Sequence, residues 1–327
     1  MPNHATALLV PAAVAFAVSA TVVWTLLKMR AGRLALDHPG ARSLHATPLP
    51  RVGGIGILAG IVAAALYSAY DVPAPIAFAF FAVVAVSFID DLRGLSAGMR
   101  LSVHLAAAAL ATTSLLGASA PWLSLVPAAL AIAWMANLYN FMDGSDGLAS
   151  GMAVLGFAAC ALAALLQGDA AFAAMNLAVA AAAAGFLCFN FPPARVFMGD
   201  AGSLPLGFLA AVSGLDGWVR GYWPVWFGVL VFSPFIVDAT VTLAKRLARG
   251  ERVWRAHREH YYQRLVRCGW GHRKTALAGY ALMTACGALA LLGARLPGAA
   301  QALLLAFAGA AYLGMVIVLE RKLHAIP

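Results

Sequence analysis

Residues 147–190 read GLASGMAVLGFAACALAALLQGDAAFAAMNLAVAAAAAGFLCFN, and their single charged residue is Asp169. The apolar runs on either side of it are each about as long as the roughly 20 residues that a helix needs to cross a bilayer. Similar charge-poor runs occur at 5–27, 54–70, 72–89, 101–119, 121–138, 147–167, 170–189, 203–219, 221–244, 275–294 and 296–319. The pattern predicts an all-α, polytopic membrane helix bundle with about 11 transmembrane helices, forming a single domain over residues 1–327.

The composition excludes an ordinary soluble globular protein. Of the 327 residues, 63% are hydrophobic and 11% are charged, whereas a soluble domain has about 25% charged residues. The net charge of +9 would also suit a nucleic-acid partner, but in a membrane protein basic loops usually face anionic lipid headgroups. We therefore expect membrane lipid, and no nucleic acid, around the basic residues.

Basic residues are distributed unevenly between alternate loops. With the N-terminus placed outside, the inner loops hold 20 of the 22 lysine and arginine residues, and only Arg220 and Arg295 lie outside. This asymmetry predicts an outside N-terminus and a cytosolic C-terminus. Ten of the 13 acidic residues then lie inside or near the inner face. Such crowding of carboxylates predicts a cytosolic site in which a metal ion or the basic loops compensate the negative charge.

Two motifs near the predicted inner face contain groups suited to phosphate chemistry. The first, HATPLPRVGGIG, starts at His45 and contains Arg51 just before a helix start. Helix N-termini bind phosphate through N–H groups and arginine adds a fork of donors, although a rigid turn is the alternative. The second, FIDDLRG, holds Asp90 and Asp91. Adjacent helical residues point about 100° apart, so the two carboxylates need not share a ligand, and a solvated helix end is the alternative.

A third motif, NLYNFMDGSDGLA, is the most informative segment. Asn137, Asn140 and Asp143 are spaced by three residues, which places them on one side of a helical turn. Asn side chains offer both donors and acceptors and can therefore bind a nucleobase. Asp146 follows in a glycine-rich break. An ordinary polar turn is the alternative interpretation.

The fourth motif, FMGDAGS, places Asp200 between glycines at a helix start. Hard oxygen ligands favour Mg²⁺, with Mn²⁺ as the alternative, and Mg²⁺ is usually held by one or two carboxylates plus substrate phosphates. Asn190 ends the preceding apolar run and is expected to bind substrate. For Asp238, a structural ion pair or a hydrogen-bonded core acid is as well supported as a functional role.

A fifth motif, AHREHYYQRL, lies in the most basic loop and contains His257, Arg258, His260 and Arg264. These side chains could contact a metal, a phosphate or a sugar, and a cationic strip facing lipid is the alternative. His104 lies alone on an apolar run and is interpreted as a core histidine whose hydrogen bonds are satisfied.

The five motifs, in this order, resemble those of the polyprenyl-phosphate N-acetylhexosamine-1-phosphate transferases, the WecA/MraY superfamily. The resemblance covers residues 45 to about 265. In the peptidoglycan branch a lysine stands where this chain has Gly94, and the order of the histidine motif also differs. The chain looks most like the WbpL-type branch, which initiates O-antigen or capsule synthesis from UDP-N-acetylfucosamine or related 6-deoxy sugars.

The resemblance implies transfer of N-acetylhexosamine-1-phosphate (GlcNAc, FucNAc, QuiNAc or similar) from a UDP-sugar to undecaprenyl phosphate, with release of UMP. It implies a multi-pass protein of the bacterial inner membrane with a cytosolic active site. Catalytic roles are expected for Asp90, Asp91, Asp143 and Asp146, and a Mg²⁺-ligand role for Asp200. The expected substrate-binding residues are His45, Arg51, Asn137, Asn140, Asn190, His257, Arg258, His260 and Arg264. The oligomeric state is open, with a homodimer as one expectation.

Two other classes fit the residues less well. A transporter would place its coupling acids near the bilayer midplane between inverted repeats, whereas here the acids crowd one edge and no repeat is visible. A CDP-alcohol phosphotransferase would need an arginine after its Asp-Gly pairs, and neither Asp143-Gly144 nor Asp146-Gly147 is followed by one. A sugar-phosphate transferase is therefore the preferred prediction.

Overall fold

The computed structural model describes residues 4–29, 36–37, 44, 48–117, 119–253 and 257–324. Most of these residues are helical, as the sequence predicts. In chain order the helices are α1 (His4–Lys28), α2 (Gly53–Ala65), α3 (Ala74–Arg93), α4 (Ala97–Leu116), α5 (Trp122–Phe141), α6 (Leu148–Leu166), α7 (Ala170–Asn190), α8 (Asp200–Val219), α9 (Trp226–Val231), α10 (Ser233–Ala248), α11 (Tyr261–Leu265), α12 (Gly271–Gly293) and α13 (Gly298–His324).

Eight helical segments of the described chain are long and apolar enough to cross a membrane. They are α1, α3, α4, α5, α6, α7, the combined α11–α12 segment and α13. This confirms the prediction of a multi-pass helical membrane protein. The other three predicted spans correspond to α2, α8 and the pair α9–α10. The total of 11 spans and the outside N-terminus stay predictions.

One predicted span is broken in the structure. The sequence predicts a continuous helix over 221–244, but α9 ends at Val231 and α10 begins at Ser233. Pro234 lies in the first turn of α10, where its missing N–H and fixed backbone angle are tolerated. Farther inside a continuous helix, proline would remove a hydrogen bond and clash with the preceding turn. The prediction of one uninterrupted helix here is therefore wrong.

Two further boundaries differ from the sequence prediction. Helix α2 has 13 residues and ends at Ala65 rather than at 70, so at 1.5 Å per residue it is only about 20 Å long. Before it, a two-stranded antiparallel sheet pairs β1 (Leu36–Asp37) with β2 (Leu49–Pro50). The expectation of a purely helical chain is thus incorrect in this one small element, which brings Asp37 close to Arg51.

Small side chains allow the central helices to approach closely. Within the alanine tract of α7, Ala182 and Ala183 are fully buried, as is common for small residues at contacts between membrane helices. Helices α3, α4, α5 and α8 share a second apolar cluster that includes Phe80, Ala108 and Phe208. Helix α8 packs against α3, α4 and α5 and also against α2 and α6. Its N-terminus is therefore held in a fixed position.

Charged side chains at the C-terminal end of α8 form a closed cluster. The Arg220 guanidinium lies 2.7 Å from Asp216 and 3.5 Å from Asp169. The Tyr70 hydroxyl donates to Asp216 at 2.5 Å and the Tyr222 hydroxyl donates to Asp169 at 2.6 Å. Both carboxylates are therefore neutralised inside the protein, at the end of the bundle opposite the five sequence motifs.

Candidate active site

The N-terminus of α8 is capped by an aspartate from α3. Gly199 precedes the helix with a φ of 74°, and the N–H groups of Asp200 and Ala201 donate to the Asp91 carboxylate at 3.2 and 2.9 Å. A negative charge at this position is stabilised by the unpaired N–H groups and by the helix dipole. The anion bound at this helix start is thus a side chain of the protein itself.

The neighbouring Asp90 has different partners. Its carboxylate accepts a hydrogen bond from the N–H of Leu95 at 2.5 Å and one from the Arg100 guanidinium at 2.6 Å. Arg100 also lies 3.7 Å from the Asp200 carboxylate. Asp90 and Asp91 therefore have different partners within the protein, as the angle between adjacent helical residues allows, and Arg100 joins the two aspartate motifs.

Asp143 lies in the turn between α5 and α6, close to the same group of acids. Burial raises the pKa of its carboxyl well above the usual range, and the charges of Asp200, Asp91 and Asp146 act in the same direction. Arg51 opposes this shift. The Asp143 side chain is half-buried, and its carboxylate forms no hydrogen bond with the part of the chain that the structure describes.

The two asparagines of the third motif contact different helices. The Asn137 amide donates to the carbonyl of Ala133 at 2.7 Å and lies 3.3 Å from the His104 ring on α4. The Asn140 carbonyl oxygen accepts from the Ser203 hydroxyl of α8 at 3.0 Å. Both side chains are therefore anchored in the bundle, and nucleobase binding by them stays a prediction.

Asn190 and Asp146 join the loops at the same end of the bundle. The Asn190 oxygen accepts from the N–H of Gly147 at 2.9 Å, and its amide donates to the carbonyl of Val196 at 3.0 Å. The Asp146 carboxylate accepts from the N–H of Ala194 at 3.0 Å. These contacts use the polar atoms of Asn190 inside the protein, which favours a positioning role over the substrate binding that we expected.

The glycine-rich start of α2 also binds the protein itself. The N–H groups of Gly53 and Gly54 donate to the carbonyls of Phe197 and Met198, both at 2.9 Å. The expectation that these N–H groups bind phosphate is therefore wrong, because they already have partners. Arg51 remains 42% exposed while it pairs with Asp37 at 2.6 Å. His45 lies outside the described residues.

The histidine motif is attached to the bundle through Asp238. The Asp238 carboxylate accepts from the N–H groups of Tyr261 and Tyr262 at 2.9 and 3.0 Å and lies 3.2 Å from the His260 ring. The Tyr262 hydroxyl donates to the carbonyl of Phe141, at the end of α5, at 2.9 Å. Asp238 is thus a structural acid that holds His260 next to the third motif.

The other residues of the fifth motif differ in their surroundings. Burial, together with nearby His260 and Arg246, lowers the pKa of His257 to about 4, so its ring is neutral at pH 7. Among the described residues, Arg258 has no acidic partner and its Nε atom is buried without a hydrogen bond. Arg264 instead pairs with Glu320 at 3.0 Å, in a cluster with α13, and this placement does not support substrate binding.

Comparison with known proteins identifies the family. Residues 74–217 match glycosyl transferase family 4. Over 264 residues the chain is 30% identical to a Bacillus subtilis protein named "Probable undecaprenyl-phosphate N-acetylglucosaminyl 1-phosphate transferase", covering 75% of this chain and 74% of the relative. The chain belongs to glycosyl transferase family 4.

Two other relatives extend this family 4 comparison. The decaprenyl-phosphate N-acetylglucosaminephosphotransferase of Mycobacterium tuberculosis is 28% identical over 306 residues, which cover 78% of this chain and 74% of the relative. The phospho-N-acetylmuramoyl-pentapeptide-transferase of a Synechococcus strain is 30% identical over 325 residues, with coverages of 88% and 90%. The chain is therefore similar in sequence to relatives of two kinds, one named for N-acetylglucosamine and one for a muramoyl-pentapeptide.

The carboxylates of the family 4 site fit a hard divalent cation that substrate would help to bind. Within the described ranges no group of three or more His, Cys, Asp or Glu side chains is arranged to hold a metal by itself. Asp200 nevertheless lies beside Asp90 and Asp91, with Arg100 as a nearby cation. Mg²⁺ commonly takes one or two carboxylates and completes its shell with water and substrate phosphates. The excess of negative charge and the oxygen donors suit that arrangement.

Sequence reasoning missed two residues of the family 4 site. Arg100 was counted only as a basic loop residue, although its spacing after the aspartate pair places it at the first turn of α4. His272 begins α12 and contacts Ser145 and Asp146. No spacing relates His272 to these residues, because 126 positions separate it from Asp146.

Proposed function

We propose that this protein transfers N-acetylhexosamine-1-phosphate from a UDP-sugar to undecaprenyl phosphate at the cytosolic face of a bacterial inner membrane, releasing UMP. The observation that carries the proposal is the grouping of Asp90, Asp91, Asp143 and Asp200 at one end of a membrane helix bundle, with Arg100 in contact with Asp90 and Asp200. The polyprenyl-phosphate acceptors named for the relatives support the choice of acceptor. A UDP-N-acetylated 6-deoxyhexosamine or UDP-GlcNAc, used to begin O-antigen synthesis, is the finer proposal for the donor.

The proposed reaction is a single displacement at phosphorus. An oxygen of the acceptor phosphate forms a bond to the β-phosphorus of the UDP-sugar, and the bond between that phosphorus and the bridging oxygen breaks, so UMP departs with the electron pair. A phosphate monoester has a second pKa of about 6, so the acceptor is largely dianionic at pH 7 and needs no general base. Formation of a phosphorylated enzyme from UDP-sugar without lipid would contradict this direct attack.

Different residues of the site would bind the two anionic substrates, the UDP-sugar and the polyprenyl phosphate. Asp200, with Asp90 and Asp91 beside it, would hold Mg²⁺, which neutralises phosphate charge and polarises the phosphoryl oxygens. Arg100 contacts both Asp90 and Asp200 and so holds the two carboxylates close to each other. Arg258 and the neutral His257 ring present hydrogen-bond donors from the loop that Asp238 anchors. Preorganised charges of this kind stabilise the transition state most when solvent reorganisation is avoided.

The transporter alternative is not supported. The acids on α8 and its neighbours lie at the two ends of the bundle, and those at the end opposite the motifs are neutralised by Arg220. The relatives are named as transferases. A transferase accounts for both the family and the location of the carboxylates.

The proposal is tested by UMP release from purified protein in detergent, with undecaprenyl phosphate, Mg²⁺ and a panel of UDP-N-acetylhexosamines. We expect release with one donor, a lipid-linked product, and loss of both signals when EDTA is added or lipid is omitted. Restoring Mg²⁺ after EDTA should restore the rate. No release with any donor, from protein shown to be folded, would contradict the proposed function.

Substituting alanine for Gly54 should lower the transfer rate by about 10²-fold, because a displacement of about 1 Å at a catalytic site can have that effect. An alanine Cβ at this position would lie 2.6 Å from the Gly202 nitrogen and 2.7 Å from the Met198 carbonyl oxygen. Relieving these backbone clashes must shift the start of α8 and with it Asp200. The measurement is kcat for UMP release.

The matched control for Gly54→Ala is Gly98→Ala in the first turn of α4. A Cβ at Gly98 would meet no atom within 4 Å, and alanine favours helix more than glycine does. We expect the control to keep the wild-type rate. Equal rates for Gly54→Ala and wild type would mean that contact between α2 and α8 does not position Asp200.

A further inference from the structure

His272, the second residue of α12, lies between two loops at the site. Its Nδ1 atom is 3.1 Å from the Ser145 hydroxyl and 3.2 Å from the backbone nitrogen of Asp146. Its Nε2 atom is 3.3 Å from the carbonyl oxygen of Leu44. One imidazole ring thus joins the turn that contains Asp143 to Leu44, which precedes Arg51 by seven positions in the chain.

The chemistry of the ring makes both contacts compatible. When the Asp146 N–H donates to Nδ1, the hydrogen of the neutral ring must be on Nε2, where it can donate to Leu44. The Asp146 carboxylate also lies 3.3 Å from Nδ1. The two ring nitrogens together therefore connect Asp146 with Leu44.

Other hydrogen bonds attach further segments of the chain to the same turn. The Asp146 carboxylate accepts from the N–H of Ala194 at 3.0 Å, which adds the loop before Asp200. From the middle of α12, the Tyr280 hydroxyl donates to the carbonyl of Gly147 at 2.7 Å. Helix α12 therefore contacts the Asp143–Gly147 turn through two side chains, His272 and Tyr280. Of these two, His272 also contacts Leu44.

We propose that His272 is a positioning residue that sets the distance between Arg51 and Asp143 by holding their two segments together. The segment of Arg51 lies beside the loop that precedes Asp200, because the Phe197 N–H donates to the carbonyl of Pro50 at 2.8 Å, and the Arg51 charge opposes the rise in the pKa of the Asp143 carboxyl. Given the proposed function, Arg51 contacts a donor phosphate and Asp143 lies beside the reacting groups. A bridge between their segments then controls both donor binding and turnover.

Two substitutions of His272 distinguish the roles of its two ring nitrogen atoms. In His272→Asn, the amide oxygen can replace Nδ1 as acceptor for Asp146 and Ser145, but the side chain is too short to reach Leu44. In His272→Gln, the amide nitrogen can replace Nε2 as donor to Leu44, but it leaves the N–H of Asp146 without this acceptor. A protein that needs both contacts responds differently to each substitution.

We expect His272→Asn to raise KM for the UDP-sugar about tenfold with kcat close to wild type, and His272→Gln to lower kcat about tenfold, since one lost hydrogen bond of about 1.4 kcal/mol corresponds to a factor of ten. Arg273→Gln, at the exposed next position, is the matched control and should match wild type. Identical kinetic changes in both His272 variants, or none in either, would overturn the proposal.

Hydrogen–deuterium exchange gives a readout that does not depend on the transferase activity. Exchange should increase at residues 48–52 in His272→Asn and at residues 143–151 in His272→Gln, while the 226–231 helix exchanges as in wild type. If wild-type protein releases no UMP but this exchange pattern appears, the proposed function fails and the positioning role stands. If wild type is active and the exchange patterns of the two variants coincide, the positioning role fails.

Discussion

Replacing Asp200 with asparagine should lower kcat for UMP release by about 10³-fold, the upper range for removal of one charge-stabilising group, while the protein stays folded. The amide keeps the shape of the side chain but carries no charge and is a weaker ligand for Mg²⁺. Asp200 begins α8 and its side chain is 24% exposed, so an amide of the same shape should preserve its packing. The measurements are kcat over a range of Mg²⁺ concentrations and thermal unfolding in detergent.

The matched control for Asp200→Asn is Asp71→Asn. Asp71 is exposed just before α3, at the end of that helix opposite Asp90 and Asp91, and its loss should leave the rate unchanged. We also expect Asp200→Asn to need more Mg²⁺ for half-maximal activity. A large fall in unfolding temperature, or loss of expression, would instead identify Asp200 as a structural acid.

Helices of this protein could be predicted from sequence because their apolar runs are long and nearly free of charge. The run at 170–189 agrees with α7 to within one residue. The break between α9 and α10 could not be predicted, because the average hydrophobicity of 221–244 does not change at Phe232. Proline is also tolerated in membrane helices, so Pro234 alone did not decide whether the helix continues.

The candidate site was predictable to the extent that its chemistry is local. Asp90, Asp91 and Asp200 stand out as acids at the ends of apolar runs, and the structure brings them together. The roles of Gly53 and Asn190 were not predictable, because their partners, Phe197 and Gly147, are known only once the loops are packed. A glycine or asparagine in a motif does not reveal whether its polar atoms face a ligand or another loop.

Long-range partners explain the remaining errors. Arg264 belongs to a motif that carries site residues, yet its nearest acid is Glu320 on α13, 56 positions away. His104 was expected to be a satisfied core residue, but only Nδ1 has a partner in the described part of the chain, and Nε2 is buried without one. Side-chain pairing across helices depends on helix rotation, which periodicity defines poorly in segments that are apolar all round.

Arg100→Gln should lower kcat about 10²-fold, within the usual range for losing one preorganised charge at a reaction centre. Arg100 contacts Asp90 at 2.6 Å and Asp200 at 3.7 Å. Without its charge, three neighbouring carboxylates repel one another and the start of α4 loses its tie to α8. The substitution tests a residue that sequence reasoning overlooked, and the measurement is again UMP release as a function of Mg²⁺ concentration.

The Mg²⁺ dependence distinguishes the role of Arg100 from that of Asp200. Because Arg100 and a metal ion compensate the same carboxylates, removing the arginine should reduce the Mg²⁺ concentration needed for half-maximal activity even as kcat falls. Arg100→Lys keeps the charge but not the planar fork of donors, so it should have an intermediate kcat and near wild-type Mg²⁺ dependence. Arg93→Gln, at an exposed position on the last turn of α3, is the matched control.

Opposite shifts in Mg²⁺ requirement for Arg100→Gln and Asp200→Asn would mean that a metal ion and an arginine balance one shared group of acids. If both variants needed more Mg²⁺, Arg100 would act by holding the ligands in place rather than by competing with the cation. If neither variant changed the Mg²⁺ requirement, the metal would have to bind elsewhere. The Asp90–Asp91–Asp200 group would then serve only to join α3 and α4 to α8.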